Sequence, residues 1–368
     1  MIRLSKSTLT REDKEAVAAV LENEFLGMGP EASRFEQHLA TFFSRPAVVV
    51  SNGTAALQLA LQACGIGRGD EVLVPSLTYV ASFQAVSATG AIPVACDVDG
   101  SLHLDPADAE KRITSKTKAI MPVHYGGSMG CLNDIYELAN IRKLRVVEDA
   151  AHAFGSMYGE ARVGSFGDIS CFSFDGIKNI TSGEGGCIVT SDIRLLEKVR
   201  DLRLLAVQND SEKRYKQKRS WEFDVVEQGW RFHMSDIMAA LGISQLNRIE
   251  EISIKRKKLA VHYDELFHQT GNIEVVMQDR ERVVPHIYPV LLPKGTAREA
   301  LRSALEADGI QTGIHYYPNH LLTYYRSMNA QSLETTESVY PRLLSIPLHL
   351  DLEPAQQVFV IESLIKYL

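Results

Sequence analysis

The 368-residue chain lacks the marks of several large protein classes. It has no apolar run of the roughly 20 residues that a transmembrane helix needs. Its N-terminus, MIRLSKSTLTREDKEAV, has no apolar signal region. The expected location is therefore the cytoplasm, with no membrane partner. It has no excess of basic charge: 39 Lys and Arg stand against 46 Asp and Glu, a net charge of −7. A general nucleic-acid binder carries the opposite field, so no nucleic-acid partner is expected. Cysteines are few and unpatterned: Cys64, Cys96, Cys131, Cys171 and Cys187 form no CxxC and no Cys/His spacing. They read as mostly buried thiols in a reducing compartment, and no metal site is expected. There is no repeat, low-complexity tract or disordered linker. No GxxxxGK followed by Ser or Thr occurs, and no GxGxxG follows a first strand, which removes the P-loop and the dinucleotide fingerprint.

What is present is a hydrophobic fraction of 45%, enough for a sizeable core. It is laid out as alternating short apolar runs and helical periods. After helices over 11–24 and GPEASRFEQHLATFF, the runs PAVVVS, EVLVPS, IPVAC, KAIMPVHY, LRVVED and ISCFSF read as strands. The segments TAALQLALQACG, YVASFQAVSATG and CLNDIYELANIRK between them read as helices. Such alternation predicts an α/β fold with a mostly parallel central sheet covered by helices. Around Ser235, a candidate N-cap, a long helical pattern begins, with an expected break near Gly242. The rest reads as a smaller α+β unit, which divides the chain into 1–247 and 248–368.

In parallel sheets ligands bind beyond the carboxyl ends of the strands, and the chemically promising residues fall there. Ser51-Asn52-Gly53-Thr54 follows PAVVV and opens a helix, whose free amides and dipole suit a phosphate. Taken alone, SNGT reads more readily as an ordinary helix cap. Tyr79 lies just past EVLVPS. Asp149 ends RVVED, where a carboxylate is costly unless partnered. A pyridinium nitrogen is one such partner; a metal or a helix cap is another. His152, three residues on, is either a cofactor contact or a satisfied structural histidine. In SFDGIKNITSGEGG, Lys178 sits between a buried-looking strand and a glycine-rich turn, five residues after Ser173. Desolvation makes a lysine easier to deprotonate, and a neutral amine forms Schiff bases.

With SNGTAALQLAL, GDEVLVPSLTYVAS, EDAAHAFGS, VGSFGDISCFSF, KNITSGEGG, HMSDIMAALG, GIQTGIHYYPNHL and LSIPLHLDL in order, the chain resembles the DegT/DnrJ/EryC1/StrS sugar aminotransferases over nearly its whole length. These are fold-type I pyridoxal phosphate enzymes with an aspartate-aminotransferase-like architecture. The resemblance implies that Lys178 binds the cofactor aldehyde and moves protons, while Asp149 keeps the pyridine nitrogen protonated. Tyr79 would stack on the ring, with His152 close to it. Gly53, Thr54 and Ser173 would hold the phosphate. The family's GxNxRM segment appears here as GWRFHM, placing Arg231 at an asparagine that reaches the phosphate across a homodimer interface. Arg231 can serve there as a charged fork. Asp175 also departs from the aromatic or histidine of many relatives.

The activity so implied is amino transfer from L-glutamate, through pyridoxamine phosphate, to a nucleotide-linked 4-keto-6-deoxy sugar. The wording MSDIMAALG favours C4 over C3 of the sugar. His315, Tyr316 and His320 in HYYPNH are candidate sugar contacts. The basic stretch EKRYKQKRSW at 212–221 reads as a solvated loop or a flap over the diphosphate. Trp221 and Trp230 read as core or interface residues, and His349 is given no role. The competing functions are a sugar dehydratase, which would carry a histidine at position 178, a 3-aminotransferase and a non-catalytic regulator.

Overall fold

The computed structural model describes residues 1–207, 223–268, 273–329 and 331–368. The basic stretch 212–221, with Trp221, lies outside the described residues. Seven strands form the main sheet: β1 (Ala47–Val50), β2 (Glu71–Pro75), β3 (Ile92–Cys96), β4 (Thr117–Ile120), β5 (Arg145–Asp149), β8 (Ile169–Ser173) and β9 (Gly186–Thr190). Their order is β1-β9-β8-β5-β4-β2-β3. The β2–β3, β2–β4, β4–β5 and β5–β8 pairings are parallel, and only β9 runs against its neighbours. A small hairpin, β6 (Met157–Tyr158) with β7 (Ala161–Arg162), lies between β5 and β8 in the chain.

The apolar runs become strands buried on both faces because helices cover both sides, as parallel sheets require. All four residues of β1 and all five of β8 are buried. One apolar cluster joins Val48, Val50, Val72, Val74 and Ile169 to the helix Gly53–Ala63; another joins Val49, Phe172 and Val189 to the helix Pro30–Phe43. That second helix begins at Gly29, which has no side chain to cap it. Asp236 caps it instead, accepting from the amides of Gly29 and Ala32 at 2.8 and 3.0 Å.

A second unit holds a three-stranded antiparallel sheet of β10 (Glu274–Val275), β11 (Tyr288–Leu291) and β12 (Leu343–Ile346). The helices Ile249–His268, Arg298–Ala307 and Pro354–Lys366 contribute to its core. The division at 247/248 falls between the helices Asp236–Leu246 and Ile249–His268. Several segments cross it, and Ile249, Ile252 and Leu350 pack with the large sheet's core. Ile2 pairs with Ile310 and packs in the second unit's core. Leu322, Tyr325 and Leu333 pack on the large sheet's core.

Ser235 caps its helix, its Oγ accepting from the Met238 amide at 3.3 Å. The expected break at Gly242 does not occur there; the chain breaks at Asn247 and Arg248. Gly242 lies inside the helix because that face meets Phe35: a Cβ at 242 would stand 2.6 Å from the Phe35 ring. The glycine therefore permits close helix packing rather than a kink. Three of the cysteines are buried, Cys64 is partly so, and Cys131 is exposed. We predict that Gly242→Val, which overpacks this contact, costs roughly 1–3 kcal/mol. A clear fall in melting temperature is expected; an unchanged one would mean that the two helices separate freely.

Candidate active site

The ends of β1, β2, β4, β5 and β8 and the segments following them, with His315 and Tyr316, build one cleft of about 550 Å³. Gly53 and Thr54 open the helix after β1, and Asn52 caps it by accepting from the Ala55 amide at 2.8 Å. The Gly53 and Thr54 amides are first-turn groups with no carbonyl one turn back to bind. Ser173, the last residue of β8, abuts this turn. A Cβ on Gly53 would lie 2.8 Å from Ser173 Cβ and 3.2 Å from its Oγ. Only glycine leaves this cradle of amides and hydroxyls open.

Asp149 ends β5 and faces the same cleft. Its Oδ2 accepts from Ser82 Oγ at 2.7 Å and its Oδ1 from the Ala151 amide at 3.2 Å. Because the carboxylate only accepts, the Ser82 hydroxyl proton is committed to it. Thr78 Oγ1, 2.9 Å from Ser82 Oγ, then donates to Ser82. The preceding residue, Glu148, points to the opposite side, as strand pleating demands. There it is fully buried and bonded to His124 Nε2 (2.7 Å), Tyr136 OH (2.5 Å) and Ser170 Oγ (3.2 Å).

Lys178 is placed by a tight turn, its amide bonding to the Asp175 carbonyl at 3.0 Å. Burial is the main cause that brings its ammonium down from an ordinary lysine to about 8. Asp149 and Asp175 oppose that shift, and Arg256 adds to it. Lys178 Nζ lies 3.4 Å from Nε2 of His286, whose backbone carbonyl accepts from Arg256. The His286 and His152 rings lie 4.3 Å apart. Burial, with the Lys178 charge second, holds both imidazoles well below the ordinary histidine value. His152 Nε2 lies 2.9 Å from Tyr316 OH, and the Gly126 amide donates to His152 Nδ1 at 3.3 Å.

The structure gathers Gly53, Thr54, Tyr79, Asp149, His152, Ser173, Lys178, His315 and Tyr316 around this cleft. Tyr79 stays 58% exposed although it stands on the cleft wall, so it has a free surface for a flat ligand. Two expected residues do not line the cleft. Arg231 is exposed outside it, where it makes a bridge with Leu204. His320 is a correction: it is buried, with Nδ1 2.6 Å from Ser76 Oγ and Nε2 3.3 Å from Glu337. Those contacts make it a structural histidine behind the wall. Trp230 stacks on Phe232 and bonds Gln62, as a core residue does. Ser235 and Asp236 in MSDIMAALG are helix caps, and neither lines the cleft. Sequence reading missed Thr78, Ser82 and His286. Thr78 and Ser82 carried a usable signal, being hydroxyls one turn apart just past a strand end. His286, over 100 residues from Lys178, carried none.

The residues fit pyridoxal phosphate: a phosphate cradle that a single Cβ would fill, a buried-strand carboxylate, and an amine with a lowered pKa line one cleft. The sequence model of the DegT/DnrJ/EryC1/StrS aminotransferase family matches residues 7–365. The chain belongs to this family. Spore coat polysaccharide biosynthesis protein SpsC of Bacillus subtilis is 36% identical over 349 residues, 92% of this chain and 90% of that protein. PseC of Helicobacter pylori, an aminotransferase of pseudoaminic acid biosynthesis, superposes with a TM-score of 0.92 at 29% identity, covering 100% of this chain and 98% of that one. The PLP form of Spr1654 from Streptococcus pneumoniae gives 0.92 at 27% identity, over 100% and 98%. The fold is that of the fold-type I aminotransferases, to which these sugar aminotransferases belong. Among the described residues no helix is long and apolar enough to cross a membrane, and no group of three metal-ligating side chains gathers.

In cofactor-free protein, labelling of Lys178 by an amine-selective reagent should follow the neutral fraction, rising with pH to half-maximum near 8. Asp175→Asn removes a carboxylate that favours the ammonium, so the midpoint should move lower. A midpoint above 10 would place the amine in water.

Proposed function

We propose that this DegT-family member is a pyridoxal phosphate-dependent aminotransferase. It would move an amino group from L-glutamate to the keto carbon, C4, of a nucleotide-linked 4-keto-6-deoxy sugar. The observation that carries this reading is the convergence of Lys178, with its lowered pKa, and Asp149 on the cleft that the phosphate cradle closes. When bound, the cofactor would supply an electron sink for the bond between a substrate carbon and its hydrogen or substituents.

The chain's own residues would do the rest. Thr54 and Ser173 hydroxyls, with the Gly53 and Thr54 amides, hold the phosphate. Asp149, fixed by Ser82 and the Ala151 amide, keeps a proton on the pyridine nitrogen. Tyr79 would cover one face of the ring and His152 would stand beside it. The Lys178 amine, neutral in part at physiological pH, takes the proton at the substrate α-carbon as a general base and returns it as a general acid. We further propose a homodimer in which Arg231, exposed in one chain, reaches the phosphate in its partner.

Lys178→Ala should abolish formation of 2-oxoglutarate from L-glutamate while the protein stays folded. Arg231→Ala should weaken it. Mixing the two variants should restore activity in hybrid dimers, up to about a quarter of wild type, because one of two sites in each hybrid is intact. A Lys178→Ala protein with wild-type turnover would sink the reading. A mixture no better than the sum of its parts would remove the shared site.

A further inference from the structure

The cleft holds a second group able to move a proton, and the hydrogen bonds around it fix where its proton points. The Gly126 N–H can only donate, so His152 Nδ1, 3.3 Å away, is the acceptor. His152 is neutral, for burial holds it well below the ordinary histidine value. Its single ring proton must then sit on Nε2. Nε2 is 2.9 Å from Tyr316 OH, so the imidazole donates and the tyrosine oxygen accepts. Among the described residues no acceptor takes the tyrosine's own hydrogen, on a side chain that lines the cleft. Burial pushes the Tyr316 phenol well up, so the hydrogen stays in place at working pH. The ring is steadied by Tyr79, 5.6 Å away, and by His315, whose Nδ1 is tied to Ser345 Oγ at 2.8 Å. Lys178 is linked to Tyr316 through His286 and His152.

Amino transfer needs protons at two kinds of atom. One moves on and off carbon. The other moves on and off oxygen, where a primary amine adds to a ketone or where a ketone is released. Resting on the transaminase reading above, we propose that Tyr316 is the catalytic proton donor to the carbonyl oxygen of the keto substrate, with Lys178 serving carbon. As the amine adds, the C=O π bond opens, the developing oxyanion takes the Tyr316 proton, and the first proton released by the nitrogen restores the tyrosine. Tyr316 then protonates the resulting hydroxyl; the C–O bond breaks, water leaves and the nitrogen lone pair forms C=N. The second proton released by the nitrogen restores the tyrosine again. Nothing is oxidised or reduced. Throughout, His152 Nε2–H donates to the tyrosine oxygen and stabilises the charge that develops there, a preorganised donor of the oxyanion-hole type.

The test uses L-glutamate with the reconstituted wild type and Tyr316→Phe, following both loss of the α-hydrogen to deuterium in solvent and release of 2-oxoglutarate. Tyr316→Phe should keep exchange within about fivefold of wild type while release falls roughly 10²-fold. Release at the wild-type rate overturns the proposal. So does an equal loss of exchange and release, since Tyr316 would then merely shape the cleft. A wild type that exchanges nothing overturns the transaminase reading itself. Independently of turnover, nitrogen-15 NMR of histidine-labelled, cofactor-free protein should show His152 protonated on Nε2 and bare on Nδ1. The opposite tautomer removes the donor arrangement and the proposal with it.

Discussion

A primary amine and a carboxylate must share one cleft without neutralising each other's use. Burial alone would strip Lys178 of its proton, and a direct ion pair would lock the proton on. In this chain burial dominates, and Asp149 and Asp175 pull back only part of the way. The amine is left close to the pH at which it can both take and give a proton. Everything else in the fold is arranged so that this balance holds. β5 and β8 are adjacent and parallel, so their carboxyl ends deliver Asp149 and Ser173 to the same edge. The turn after β8 then returns Lys178 over them.

The carboxylate needs support of its own. Ser82 and Thr78 form a short hydroxyl chain that ends on Asp149 Oδ2. Behind the sheet, Glu148 is bonded to His124, Tyr136 and Ser170. Two acidic residues in succession thus face opposite sides of one strand, each with its donors. His124 also bonds the Asp149 carbonyl through its amide and opens the turn carrying Gly126, the donor that fixes His152. One turn thus touches both the rear network and the cleft.

Much of this was legible in the sequence. Strands buried on both faces leave short apolar runs, and the residues just past them are placed by the topology, so Gly53, Thr54, Tyr79, Asp149, Ser173 and Lys178 could be located. Partnerships across the chain were not legible. His320 sits in a stretch rich in rings and was read as a sugar contact, but its partners Ser76 and Glu337 come from elsewhere and bury it. Gly242 was read as a helix break, when Phe35, over 200 residues earlier, sets its need for glycine. His286 reaches Lys178 from the second unit, which no local pattern announces.

The central claim is that Lys178 and Asp149 hold pyridoxal phosphate for transamination. The most direct measurement is the visible absorbance of the protein reconstituted with pyridoxal phosphate, before and after L-glutamate. The account predicts a yellow band that bleaches on addition, with 2-oxoglutarate appearing in stoichiometric amount. A protein that takes up no colour after reconstitution would contradict it.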